Sequence, residues 1–220
     1  MAAARFAVVL LLALYLQAAR GQSASAAGLH VVPVALGMLV AAPLAGRLNR
    51  TLSARALSST GLLLATGGLL ALAAVLSPTS SYAPIGLALA AVGVGSGLFF
   101  PPNTDAIAGV AAPDRRGAAN AVRSAVQNTG YVLGTALALV TGPLVPQEKR
   151  AAYAGTLHAL PGDRLALFTG AYRTTLVVLA VLTAAGAVAS LLRTAGQRTG
   201  AQPALTESGS TTSSPRKALL

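Results

Sequence analysis

The feature that most constrains this chain is a series of six apolar blocks, each broken from the next by a short charged or turn-rich piece. The blocks are Phe6–Ala19, Leu29–Ala45, Ala56–Leu76, Pro84–Val110, Gly117–Val145 and Tyr172–Leu192. An α-helix rises 1.5 Å per residue, so roughly 20 apolar residues cross a bilayer. In hydrocarbon every backbone N–H and C=O must be satisfied within the segment, which selects helices over lone strands. A closed barrel requires alternating segments of about ten residues, whereas these runs are continuous. Charged residues make up 10% of the 220 positions, against roughly 25% in a soluble domain, so there are too few polar groups to cover a water-facing surface. The expectation is an all-α polytopic membrane protein in which residues 1–193 form six transmembrane helices. Residues 194–220, rich in Ser, Thr, Gly and Gln, are expected to form a disordered cytoplasmic tail.

Two boundaries carry alternatives. Phe6–Ala19, bounded by Arg5 and Arg20, is short for a span. With Ser23-Ala24-Ser25-Ala26-Ala27 after it, it also reads as a secretory signal. The expectation adopted is a truncated first span. Pro146–Gly170 is the longest connection, and its Gln147–Ala154 stretch fits either a short interfacial helix or a loop.

The sequence holds 16 Lys and Arg against five Asp and Glu, a net charge of +11. Those charges sit between apolar runs, not along one polar face, which fits the cytoplasmic excess of a membrane protein and argues against nucleic-acid binding. In alternate connections, one side collects Arg5, Arg47, Arg50, Arg55, Arg115, Arg116, Arg193, Arg198, Arg216 and Lys217. The other collects Arg20, Lys149, Arg150, Arg164 and Arg173, with Arg123 inside a span. Both termini are therefore expected in the cytoplasm, in a multi-pass protein of the cell (inner or plasma) membrane. Tyr15, Tyr82 and Tyr172 fall at the outer helix ends, where an interfacial aromatic belt would place them.

Polar side chains inside spans cost roughly 2.5–3.5 kcal/mol for a central charge, so they point to pathways or to helix–helix contacts. The fifth block carries Asn120, Arg123, Ser124, Gln127, Asn128 and Tyr131. Offsets of three and four set Asn120, Arg123, Ser124, Gln127 and Tyr131 on one stripe. Gln127, Asn128, Tyr131 and Asn120 are candidates for the wall of a substrate pathway; polar contacts between helices are the alternative. Asp105 and Arg123 lie at similar depth on consecutive helices, and a pair between them is a candidate for proton coupling or gating. Gly93 and Gly97, and Gly130 and Gly134, have the spacing that lets helix backbones approach closely. Pro33, Pro43 and Pro101-Pro102 are expected to kink their helices.

Enzyme chemistry finds no support. The cysteine count is zero, His30 and His158 stand apart from any carboxylate cluster, and no Gly-Lys-Ser/Thr phosphate loop occurs. Gly93-Val94-Gly95-Ser96-Gly97 lacks the third glycine and the preceding strand of a dinucleotide fingerprint. No catalytic residue, cofactor or metal is expected.

Several stretches in order carry a resemblance. They are Tyr15-Leu16-Gln17; Ala27-Gly28-Leu29 with Pro33 and Gly37; Pro43-Leu44-Ala45-Gly46-Arg47-Leu48; and Gly93-x-Gly95-x-Gly97 with Pro101-Pro102. Pro113-Asp114-Arg115-Arg116-Gly117-Ala118-Ala119-Asn120 and the run Gln127 to Leu137 continue the series. Over Phe6–Leu192 the chain resembles the C-terminal half of a major facilitator superfamily transporter, and more narrowly the fourteen-span drug:proton antiporter branch. The resemblance implies alternating access between two six-helix halves, with proton-driven efflux of small amphipathic compounds or drugs. It departs from the pattern in two places. Six spans make one half, so a second six-span half, or a second copy of this chain, is the expected partner besides lipid, substrate and protons. A truncated or regulatory membrane protein without transport activity is the alternative. The connection after the second block keeps Gly46 and Arg55 of the family's loop motif, but has Arg50 for its Asp, Thr51 for its Arg and Ser53 for its Gly.

Overall fold

A computed structural model describes residues 1–110, 112–140 and 162–192. The expected tail, and the stretch Gln147–Ala154, lie outside them. The described residues form α1 (Ala2–Arg20), α2 (Ala24–His30), α3 (Val32–Leu48), α4 (Ala54–Val75), α5 (Tyr82–Val110), a 3-10 turn (Pro113–Arg115), α6 (Arg116–Val140) and α7 (Gly162–Leu192). Among them there is no strand. Five segments are long and apolar enough to cross a membrane: Ala2–Arg20, Ala24–Leu48, Ala54–Val75, Tyr82–Ile107 and Thr169–Leu192. α6 has the length of a sixth and carries the polar stripe. The chain is thus an all-α, multi-pass membrane protein.

Local sequence explains the helix ends. Gly21 takes the left-handed conformation, with positive φ, that a side chain disfavours. Its N–H reaches Gln17 O, the Gln22 N–H reaches Leu16 O, and together they close α1. Ser23 and Ser53 start α2 and α4 by accepting from the N–H groups of Ala26 and Ala56. Three expectations change. The first helix begins at Ala2 and is long enough to span, because Ala2-Ala3-Ala4 are strong helix formers and extend it past Arg5. The second block is two helices broken at Val31; Pro33 sits in the first turn of α3, where its missing N–H costs nothing, and so starts a helix without kinking one. The last helix begins at Gly162, well before Tyr172.

α5 is the centre of the packing, wedged between α3 and α4; α4 also packs on α7, and α1 on α6. Its glycines make the wedge. A Cβ on Gly93 or Gly97 would strike α3 at Val34 or Ala41, and one on Gly95 would strike α4 at Gly61 and Ala65. Residues two apart on a helix face nearly opposite ways, so one short run admits two neighbouring backbones. Buried Leu11, Leu16, Leu69, Leu72, Ile85, Leu89, Leu176 and Leu179 fill the core between α1, α4, α5 and α7. Tyr15 and Tyr172 belong to that core. They are 0% and 2% exposed with ring centroids 5.5 Å apart, so they do not stand in an interfacial belt as expected. Outward-facing positions are apolar: Leu39, Leu87 and Leu192 are strongly exposed, as lipid contact requires.

Arginines tie the bundle at the end opposite Arg47, Arg50, Arg55, Arg115 and Arg116. Arg20 Nη2 donates to Ser77 O (2.9 Å) and Ser80 O (2.6 Å), while Arg173 Nε donates to Leu76 O (2.9 Å) and its Nη2 to Ala74 O (3.4 Å). α1 and α7 thereby hold the last carbonyls of α4 and the turn after it, groups a helix terminus leaves unpaired.

Candidate functional site

The polar centre of the bundle forms around Arg5. Its position follows from helix lengths. Met38 lies ten residues before the end of α3, and Phe100 ten before the end of α5. At 1.5 Å per residue each is about 15 Å inside its helix from that end. Arg5 meets both residues. Its Nη1 donates to Met38 Sδ (2.9 Å) and its guanidinium carbon lies 4.9 Å from the centre of the Phe100 ring. On α6, Tyr131 accepts from Arg5 Nη2 at 2.8 Å, and its ring centroid is 5.9 Å from the guanidinium carbon. The Phe6 ring stands 5.5 Å from that of Tyr131. Gln127, one turn earlier on α6, donates from Nε2 to the Tyr131 hydroxyl.

The side-chain contacts of Arg5 are all neutral: a thioether, a phenol and two ring faces. Cation–π contacts of this kind contribute roughly 0.5–2 kcal/mol each and partly offset the cost of a cation inside a span. Among the described residues the one ion pair is Asp114–Arg115, at 3.8 Å between adjacent exposed side chains.

Cavities open on both sides of Arg5. One of about 560 Å³ is lined by Arg5, Phe6, Val9, Gly28, Val31, Val32, Val34, Ala35, Met38 and Tyr131. Another, of about 360 Å³, is lined by Arg5, Met38, Phe100, Pro101, Thr104, Asp105, Arg123 and Gln127. A third, of about 470 Å³, lies among the start of α1, α5 and α6 and includes Ala2, Phe99, Asn103, Val122, Arg123, Gln127 and Gly130.

The structure therefore brings Gln127, Tyr131, Arg123 and Asp105 to one region and leaves Asn120 and Asn128 exposed on α6, where neither lines these cavities. Asp105 and Arg123 share the smallest of the three cavities without pairing. Asp105 is exposed and accepts from Asn49 Nδ2 at 3.0 Å, while Arg123 Nε donates to Asn120 Oδ1 at 3.4 Å. Consecutive helices do not meet along their length here. α6 lies against α1 and touches α5 little, so equal depth does not bring the two charges together. Arg5 is the site residue that reading by apolar blocks misses, because a charge there reads as a block boundary. The three alanines before it carry the signal that the helix runs on past it.

Comparison with known proteins bears on this arrangement. The family profile described as Major Facilitator Superfamily matches residues 1–220. Over 133 residues, 60% of this chain, the sequence is 32% identical to a protein of Mycobacterium tuberculosis named "Multidrug resistance protein B homolog". Over 133 residues it is also 29% identical to the "Methylenomycin A resistance protein" of Streptomyces coelicolor. The match spans about a quarter of the length of these relatives, 25% and 28%.

Proposed function

The chain belongs to the Major Facilitator Superfamily, and on that premise we propose that it is one six-helix half of an exporter that moves small amphipathic compounds by alternating access, driven by protons. One observation carries the reading: four helices converge on cavities with largely apolar walls and a few convergent polar groups, Arg5 among them. That is the make-up of a small-molecule site, and repeat interfaces at the bilayer midplane are where such transporters hold their cargo. Similarity to two drug-resistance proteins supports efflux as the direction. Gln127 and Tyr131 line the path beside Arg5; Asn120 and Asn128, exposed on α6, face the second half. That half is a separate six-span unit or another copy of this chain. The uneven distribution of Lys and Arg supports cytoplasmic termini.

Asp105 is the carboxylate for coupling. It is the one acidic side chain inside the five candidate spans. It is exposed, lines a cavity together with Arg123, and forms no ion pair among the described residues.

Flux in liposomes containing the purified chain tests this. An imposed pH gradient is expected to drive an amphipathic dye across the membrane, and a protonophore to stop it. Asp105→Asn is expected to lower gradient-driven flux at least tenfold while sparing dye-for-dye exchange. Folded protein with no flux above protein-free vesicles overturns transport by copies of this chain alone, and no flux with a separate second half present as well favours the non-transporting alternative. Undiminished gradient-driven flux in Asp105→Asn removes Asp105 from coupling.

A further inference from the structure

We infer that the largest of the three cavities, about 560 Å³ in volume, is a binding site for an amphipathic organic anion with a flat ring system, and that Arg5 is its counter-charge. This rests on reading the cavity as part of the substrate path and adds the chemical class of the cargo.

Arg5 has the character of an incomplete ion pair. A guanidinium has five N–H donors in a rigid fork, and two are used here, one on Met38 Sδ and one on the Tyr131 hydroxyl. The groups receiving them are neutral, and no acidic side chain lines this cavity. A cation held by a thioether and aromatic faces, with no ion pair among the described residues, keeps much of its positive field. A carboxylate or sulfonate entering the cavity meets the remaining donors in bidentate geometry, the strongest form of that recognition. A cationic ligand meets an unfavourable charge at the same place. Asp105 does not reverse this. It lines the adjoining cavity, which Arg5 also borders, but among the described residues it forms no ion pair with Arg5 and accepts from Asn49 instead.

The rest of the wall selects the ligand's body. Val9, Val31, Val34 and Met38 present aliphatic and thioether surface, and Phe6 and Tyr131 present rings. The volume falls within the roughly 300–1,000 Å³ usual for small-molecule pockets. A flat aromatic acid places its ring against Phe6 and Tyr131 and its anionic group on Arg5.

Three shape-matched probes test the inference: 2-naphthoate, 2-naphthamide and 2-naphthylmethylammonium, titrated calorimetrically into the purified chain in phosphatidylcholine nanodiscs, with empty nanodiscs subtracted. Naphthoate is expected to bind at least tenfold more tightly than the amide, and the ammonium most weakly. Arg5→Gln is expected to erase the preference for the anion, and Arg5→Lys to retain part of it. Ala35→Trp fills the cavity with the charge intact and is expected to block all three probes, so it decides the location even if Arg5→Gln fails to fold. Equal affinities for the three probes, a preference that survives Arg5→Gln, or normal binding in Ala35→Trp overturns the inference. The liposome flux assay separates the two readings. Selective naphthoate binding without flux breaks the transport reading alone, and gradient-driven flux of a cationic dye with no charge preference in binding breaks this one alone.

Discussion

α1 carries an arginine near each end, and the two are held in opposite ways. Arg20 gives hydrogen bonds to two backbone carbonyls beyond α4, and Arg173 of α7 gives two more to the same stretch. These acceptors are fixed by the chain and belong to the fold, so the bonds fasten helices together. Arg5 touches only a sulfur, a phenol and two rings, all side chains that a ligand can displace or join. A charge whose partners are backbone groups serves architecture. A charge whose partners are soft and neutral, beside a cavity, is available for binding.

The largest expected effect breaks this contrast if it fails. Arg20→Met with Arg173→Met removes four bonds. At roughly 0.6 kcal/mol for an average intramembrane hydrogen bond, the double variant is expected to lose about 2 kcal/mol of stability, while naphthoate affinity changes less than twofold. Arg5→Gln is expected to do the reverse, with unfolding free energy within about 1 kcal/mol of the parent because the lost contacts are offset by relief of a buried charge. Denaturant unfolding in micelles, alongside the nanodisc titration, gives both numbers. If the double variant loses affinity as fully as Arg5→Gln, the two kinds of arginine are not separate.

The same contrast explains what was legible in the sequence. Apolar blocks located the helices because hydrocarbon leaves a greasy segment no other structure. The glycine spacing pointed to close approach, and a Cβ on Gly93 or Gly134 would indeed meet the backbone of α3 or α1. Gln127 and Tyr131, four apart on one helix, do bond to each other. Relations between helices were not legible. Depth along a helix follows from counting residues, but its rotation and choice of neighbour depend on packing throughout the bundle. Asp105 and Arg123 therefore reach one cavity without meeting. The break at Val31 is invisible in the apolar pattern because it depends on tertiary contacts: Tyr82 donates to His30 O at 2.7 Å, satisfying a carbonyl that a continuous helix would use itself.

Tyr131→Phe sharpens the picture at intermediate size. It keeps the ring over which Arg5 lies and removes the oxygen that receives both Arg5 and Gln127. Two lost bonds at the same average give about 1 kcal/mol of destabilisation. Naphthoate affinity is expected to stay within about threefold, since one freed guanidinium donor becomes available to the anion while the site's rigidity falls. A loss as large as that of Arg5→Gln would assign the anion to the phenol instead of the guanidinium.

The smallest effect concerns Gln127 and its neighbour. One residue turns a helix by about 100°, enough to put Gln127 beside the cavities and Asn128 outside them. Asn128→Ala is expected to leave the isolated chain's stability within about 0.5 kcal/mol, as exposed positions without special contacts generally do, and naphthoate affinity unchanged. If Asn128 faces the second half, flux measured with that half present falls while binding to this chain alone stays constant. Weaker naphthoate binding in Asn128→Ala would instead place its side chain in the cavity and rotate α6 by a quarter turn from the arrangement described.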